Sequence, residues 1–185
     1  MARIEAEDTL CPLARAAAIV ADRWTILILR ELRLHNDRFD GIQAQTGMSS
    51  ALLTQRLDSM ERSGLIVRRL YQKRPERFFY VLTDKAHELD TMMLNLRLWG
   101  MRHCGLDSLQ QSAVTMTHRK SGKVIGPDWL DPQTAGHGLF SLSEVDSKIN
   151  PNWAAERAAR AQAFLEAKKN RRAPAATRAR DREGS

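Results

Sequence analysis

RFDGIQAQTGMSSALLTQRLDSMERSGLIVRR, residues 38–69, decides the fold. Phe39 and Ile42 are spaced to point inward from a short helix running to Gln45. Thr46-Gly47-Met48 reads as a three-residue turn, and Ser49 is a good N-cap for a second helix ending near Ser63. Leu52, Leu53, Leu57 and Met60 form its buried stripe, while Ser50, Thr54, Gln55, Arg56 and Asp58 occupy the other face. Gly64 stands just past the end, where a left-handed residue commonly stops a helix. The period then changes. Leu65 to Tyr71 is rich in β-branched and aromatic residues and predicts a strand.

Working outward, Phe78-Phe79-Tyr80-Val81-Leu82 predicts a second strand, and Gln72 to Arg77 a basic hairpin tip in which Pro75 stops both strands. Upstream, Pro12 suits a first helical position. Leu13, Ala16, Ala17 and Val20 recur at helical spacing behind it. A further helix is expected from Trp24 to Leu34, with His35-Asn36-Asp37 as its break. Downstream, Thr83 can cap one long helix from Asp84 to Leu98. That helix carries Leu89, Met92, Leu96 and Trp99 on one side, with Ala86 and Met93 adjacent. The order helix, turn, helix, hairpin is a winged helix-turn-helix in a mainly α (α+β) chain. The last apolar stripe is wider than one compact domain uses, which points to contact with another subunit.

The physical use of such an arrangement is DNA binding. A helix fits the B-DNA major groove with its N-terminal part at the base edges, and a basic wing reaches phosphates or the minor groove. The expected contacts are Arg38, Ser49, Ser50, Thr54, Gln55 and Arg56, with Lys73, Arg74 and Arg77 on the wing. Gln pairs bidentately with adenine and Arg with guanine, whereas Ser and Thr more often hold phosphates. Charge agrees: residues 10–103 hold 15 Lys/Arg against 10 Asp/Glu, and residues 151–185 hold 9 against 4. A near-neutral stretch, residues 104–150, separates them.

The expected organisation is an N-terminal arm (1–9), a DNA-binding and dimerisation domain (10–103), a small irregular or β extension (104–150), and a basic helix with a disordered tail (151–185). In the extension, Val114–Thr117 and Lys123–Ile125 are candidate strands around Ser121-Gly122, and 126–138 reads as loop. An alanine-rich helix is expected from Trp153 to Lys169. Its Arg157, Arg160, Lys168 and Lys169, with Arg171 and Arg172 beyond, are open between phosphate contact and a solvated face. No phosphate loop, Gly-x-Ser-x-Gly or clustered Cys/His/Asp pattern is present, so no enzyme, metal or cofactor is expected. The absence of a long apolar run or signal-peptide core predicts a cytoplasmic protein without membrane contact.

CPLARAAAIVADRWTILILREL (residues 11–32), residues 38–69 and RFFYVLTDKAHEL (residues 77–89) together resemble the HxlR-type regulators, a family of bacterial winged-helix transcription factors. The resemblance covers about Leu10 to Gly100. It implies a homodimer on double-stranded DNA at a pseudo-palindromic operator, paired through the N-terminal and post-wing helices. Leu13 and Ala17 then join Leu89, Met92, Met93, Leu96 and Trp99 as the expected interface. It also implies that Cys11 stands where oxidant-sensing members carry a cysteine. A helix N-terminus favours thiolate there, while Glu5, Glu7 and Asp8 oppose it. Cys11 is open between sensor and capping residue. A small-molecule effector bound near Trp24, Met92, Met93 and Trp99 is the other candidate signal. The competing function is a winged-helix module for protein–protein assembly or non-specific, architectural DNA contact.

Overall fold

The computed structural model describes residues 10–105, 112–130 and 144–172. The expected arm, the loop beyond residue 130 and the tail from residue 173 lie outside the described residues. Two compact units divide at Asn150/Pro151.

In the first unit, helix α1 (Pro12–Val20) opens behind an extended Cys11. Its sequence is almost wholly apolar, yet only Val20 is buried. Helix α2 (Arg23–Arg33) starts where the Asp22 carboxylate accepts from Trp24 N–H at 2.9 Å and Thr25 N–H at 3.3 Å. Helix α3 (Phe39–Thr46) stops at Gly47, whose φ of 72° is left-handed. Helix α4 (Ser50–Arg62) is capped by Ser49 Oγ, which accepts from Leu52 N–H at 3.2 Å. Ile28, Leu29, Ile42, Leu53, Leu57 and Ile66 are fully buried together and form the centre of the core. The apolar stripes of α2, α3 and α4 point into it, whereas that of α1 reaches it only through Val20.

Strands β1 (Ile66–Lys73) and β2 (Glu76–Leu82) pair antiparallel from Ile66↔Leu82 to Lys73↔Glu76, with a bulge between Leu70 and Gln72. The hairpin tip is shorter than the expected Gln72–Arg77. Pro75 falls in the turn itself, where a missing N–H interrupts no ladder, so both strands run on past Gln72 and Arg77. Asp37 and Arg38 also lie against β2: Tyr80 N–H donates to Asp37 O at 2.9 Å, and Arg38 bridges Phe79.

The expected single helix from Asp84 is instead two, α5 (Asp84–His87) and α6 (Asp90–His103). The reason lies at Ala86 O, the acceptor that a continuous helix would offer to Asp90 N–H. It accepts from Arg33 Nη2 at 2.9 Å and from Leu89 N–H at 3.2 Å, which tightens the turn. Arg33 also pairs with Asp90, and His87 lies 3.9 Å from the same carboxylate. Burial pushes the Asp90 carboxyl above its usual range, only partly opposed by Arg33 and His87. Burial likewise lowers the Arg33 guanidinium.

A second core follows. Leu94, Leu98 and Met101 of α6 pack with Ile125, Trp129 and Val145. Strand β3 (Val114–His118) pairs antiparallel with β4 (Val145–Ile149). The Lys123–Ile125 segment does lie beside β3, but it makes only one bridge, Thr117↔Val124. Pro127 then turns the chain into a 3-10 turn, Pro127–Leu130, within the stretch read as loop. The described part of the second unit is helix α7 (Pro151–Arg172), which starts two residues earlier than expected, because proline is tolerated in a first turn, and ends three residues later.

Candidate nucleic-acid interface

The α3–α4 turn is held by a side chain that the sequence reading passed over. Gln43 Nε2 donates to Met48 O at 3.0 Å and to Ser50 Oγ at 2.9 Å. With Gly47 left-handed and Met48 buried, this fixes the angle at which α4 leaves the turn. Along α4, Ser49, Ser50, Thr54 and Gln55 are exposed at its N-terminal half. Leu53 and Leu57 of the same helix are buried. Four of the expected DNA contacts are thus accessible at the N-terminal end of α4.

Arg56 is placed differently. Its side chain is about one-third exposed and pairs with Asp22 at 3.2 Å. Asp22 therefore both caps α2 and receives an arginine from α4. The far end of α4 is tied down as well: Arg68 of β1 pairs with Asp58 and, at 3.1 Å, with Glu61. Burial works against the Arg68 charge, but Asp58 and Glu61 outweigh it and hold the guanidinium above its ordinary value. These clamps make α4 a rigid rod against the wing. No motif announces them, because each joins residues of two different elements.

On the wing Lys73, Arg74 and Arg77 are all exposed, although Lys73 and Arg77 sit in the ladder and not in a loop. Arg38 is exposed at the start of α3, its guanidinium 5.1 Å from the ring centroids of both Tyr71 and Phe79. Those rings lie 4.4 Å apart, so a cation is seated on an aromatic pair at the wing's base.

The remaining candidates divide. Leu89, Met92, Met93 and Trp24 are half-buried and pack against the first core. Leu13, Leu96 and Trp99 are exposed, at 77%, 43% and 56%, and Ala17 is half-exposed. Cys11, at the N-cap of α1, and Cys104, just past α6, are both exposed thiols. Among the described residues no group of three or more His, Cys, Asp or Glu side chains could hold a metal. No helix among them is long and apolar enough to cross a membrane.

Comparison with known proteins gives this geometry a family. The model of the HxlR-like helix-turn-helix matches residues 19–108. An HTH-type transcriptional regulator of Mycobacterium tuberculosis is 30% identical over 115 residues, which cover 62% of this chain and 72% of that protein. The chain belongs to the HxlR-like family. A Synechocystis HTH-type transcriptional regulator is 32% identical over 106 residues, covering 56% of this chain and 74% of its own. The crystal structure of PA1607, a candidate transcription factor, superposes with a TM-score of 0.55 at 26% identity over 65% of this chain and 83% of that one. As an HxlR-like protein this chain is a DNA-binding transcription regulator with a winged helix-turn-helix fold. The family model ends at residue 108, so β3, β4 and α7 lie beyond it.

Proposed function

We propose that this regulator recognises a pseudo-palindromic operator as a homodimer. The observation that carries the reading is the exposed N-terminal half of α4, braced by Gln43 at its start and Arg68 at its end, beside an exposed basic hairpin. In this reading Thr54 and Gln55 face base edges, and Ser49 and Ser50 hold phosphates. Arg38, Lys73, Arg74 and Arg77 contact phosphates or the minor groove. Arg56 acts through Asp22, setting the pitch of α4 from behind.

Dimerisation is supported by α1. A helix of the composition PLARAAAIV that buries only Val20 leaves an apolar surface with Leu13 at 77% exposure. A second copy is the economical cover for it, with Leu96 and Trp99 of α6 contributing. The signal is a redox or electrophile event at Cys11, whose thiol is exposed at the head of that same helix. A small-molecule effector near Trp24, Met92 and Met93 is the second reading, supported by their half-buried grouping on one core.

Footprinting of the region upstream of the chain's own gene tests the reading. Two protected half-sites about one helical turn apart, related by a dyad, are expected. Uniform protection without a dyad favours the architectural alternative. Diamide treatment of wild type and Cys11→Ser separates the signals: if both respond alike, Cys11 is not the sensor.

A further inference from the structure

Helix α7 carries a pattern that the winged helix leaves unused. Trp153, Arg157, Arg160, Phe164, Lys168 and Arg171 fall within about a quarter of the helix circumference at 3.6 residues per turn. Along one line each of two aromatic rings is thus followed by two cations. The rings order the cations: the Arg157 guanidinium lies 4.8 Å from the Trp153 ring centroid and the Lys168 ammonium 5.8 Å from that of Phe164. Trp153, Arg157, Phe164 and Lys168 are half-buried, as is Ala161 between them, while the other described positions of the helix are exposed, so the side chains lie along the helix surface and do not extend freely. Arg160 pairs with Glu156, an exposed i,i+4 bridge that salt and a stronger anion readily displace. From Arg157 to Arg171 the line runs about 21 Å, with the cations in two pairs, each pair about 4.5 Å apart along the axis and the pairs about 12 Å from one another.

We infer that this face of α7 is a second DNA-binding surface that tracks the phosphates of duplex flanking the operator. The inference rests on the operator reading above. Charge complementarity chooses the occupant: α7 holds six Lys/Arg against two Glu. A membrane-surface helix sets large apolar residues opposite its cations. Here the rings share the cationic face, and the positions opposite it are Ala155, Ala159, Gln162, Glu166 and Lys169, with no large apolar residue among them. Self-pairing through the face would bring like charges together. Covalent attachment at Pro151 raises the effective concentration of α7 near any DNA that the winged helix holds.

The test is a full-length variant with Arg157, Arg160, Lys168 and Arg171 each changed to Gln, a good helix former, with helicity checked by circular dichroism. The probes are an operator duplex with and without flanks one turn longer. Log affinity against log salt has a slope of about 0.9 per phosphate contact. The variant is expected to lose about 2–4 from that slope and the wild type's gain from longer flanks. An unchanged slope with operator preference intact overturns the inference and leaves the winged-helix reading standing. A wild type without operator preference, whose slope still drops in the variant, overturns the operator reading and leaves α7 as a non-specific contact. Binding to phosphatidylserine vesicles that depends on these cations, or loss of the dimer in the variant, together with an unchanged DNA slope, assigns the face to a membrane or a second copy and overturns the DNA reading.

Discussion

Arg56 lies on the face of α4 that composition assigns to DNA, but its guanidinium is engaged with Asp22. Its neighbour Gln55 is exposed and polar, and it carries the specificity claim at the scale of one residue. Gln55→Ala is expected to lower operator affinity by about 1–3 kcal/mol, the worth of a bidentate base contact, and to leave binding to random DNA unchanged. Competition titration with both duplexes reads the difference, and equal losses on both would assign Gln55 to a phosphate. Gly41 makes a stability claim. A Cβ there meets the Asn36 carboxamide, which donates to the fully buried Glu31 at 2.8 Å. Moving Asn36 aside leaves part of that carboxylate without its partner. Gly41→Ala should cost about 1–3 kcal/mol in urea unfolding. A midpoint equal to wild type would show that Asn36 relocates without penalty.

At the scale of elements, the turn and cap residues made most of the fold legible. Pro12, Ser49, Gly47, Gly64 and Thr83 mark their helix ends by backbone chemistry that operates locally, and the structure has an end at each. What failed was decided by tertiary contact. The break after α5 depends on Arg33, more than fifty residues upstream, taking the Ala86 carbonyl. Strand β4, with the sequence VDSKI, buries only Val145, so it has no full apolar alternation to announce it. The apolar stripe of the post-wing helix points in part to another subunit. Leu94, Leu98 and Met101, at helical spacing, face a second core whose other side comes from Ile125, Trp129 and Val145 further along the chain, and Leu96 and Trp99 remain as the exposed large apolar residues of α6. The clamps around α4 were illegible for the same reason. The α2–α6 joint has its own test. Asp90→Asn leaves Arg33 charged and buried without its carboxylate, and a loss of about 3 kcal/mol is expected from thermal or urea melting. A loss below ~1 kcal/mol would mean that water already serves this pair.

For the whole molecule the account requires two copies. Leu13→Asp places a charge on the exposed apolar side of α1 and should leave the fold of the monomer intact, because Leu13 is not part of either core. Sedimentation equilibrium is expected to show dimer for wild type and monomer for the variant at micromolar concentration. A dimeric variant would move the interface away from α1. The central claim, that the α4 face and wing read a specific DNA sequence, is tested most directly by one ratio: affinity for the footprinted operator over affinity for random duplex of the same length, at physiological salt. A ratio of roughly 10³ or more is expected for the full chain. A ratio near one would contradict it.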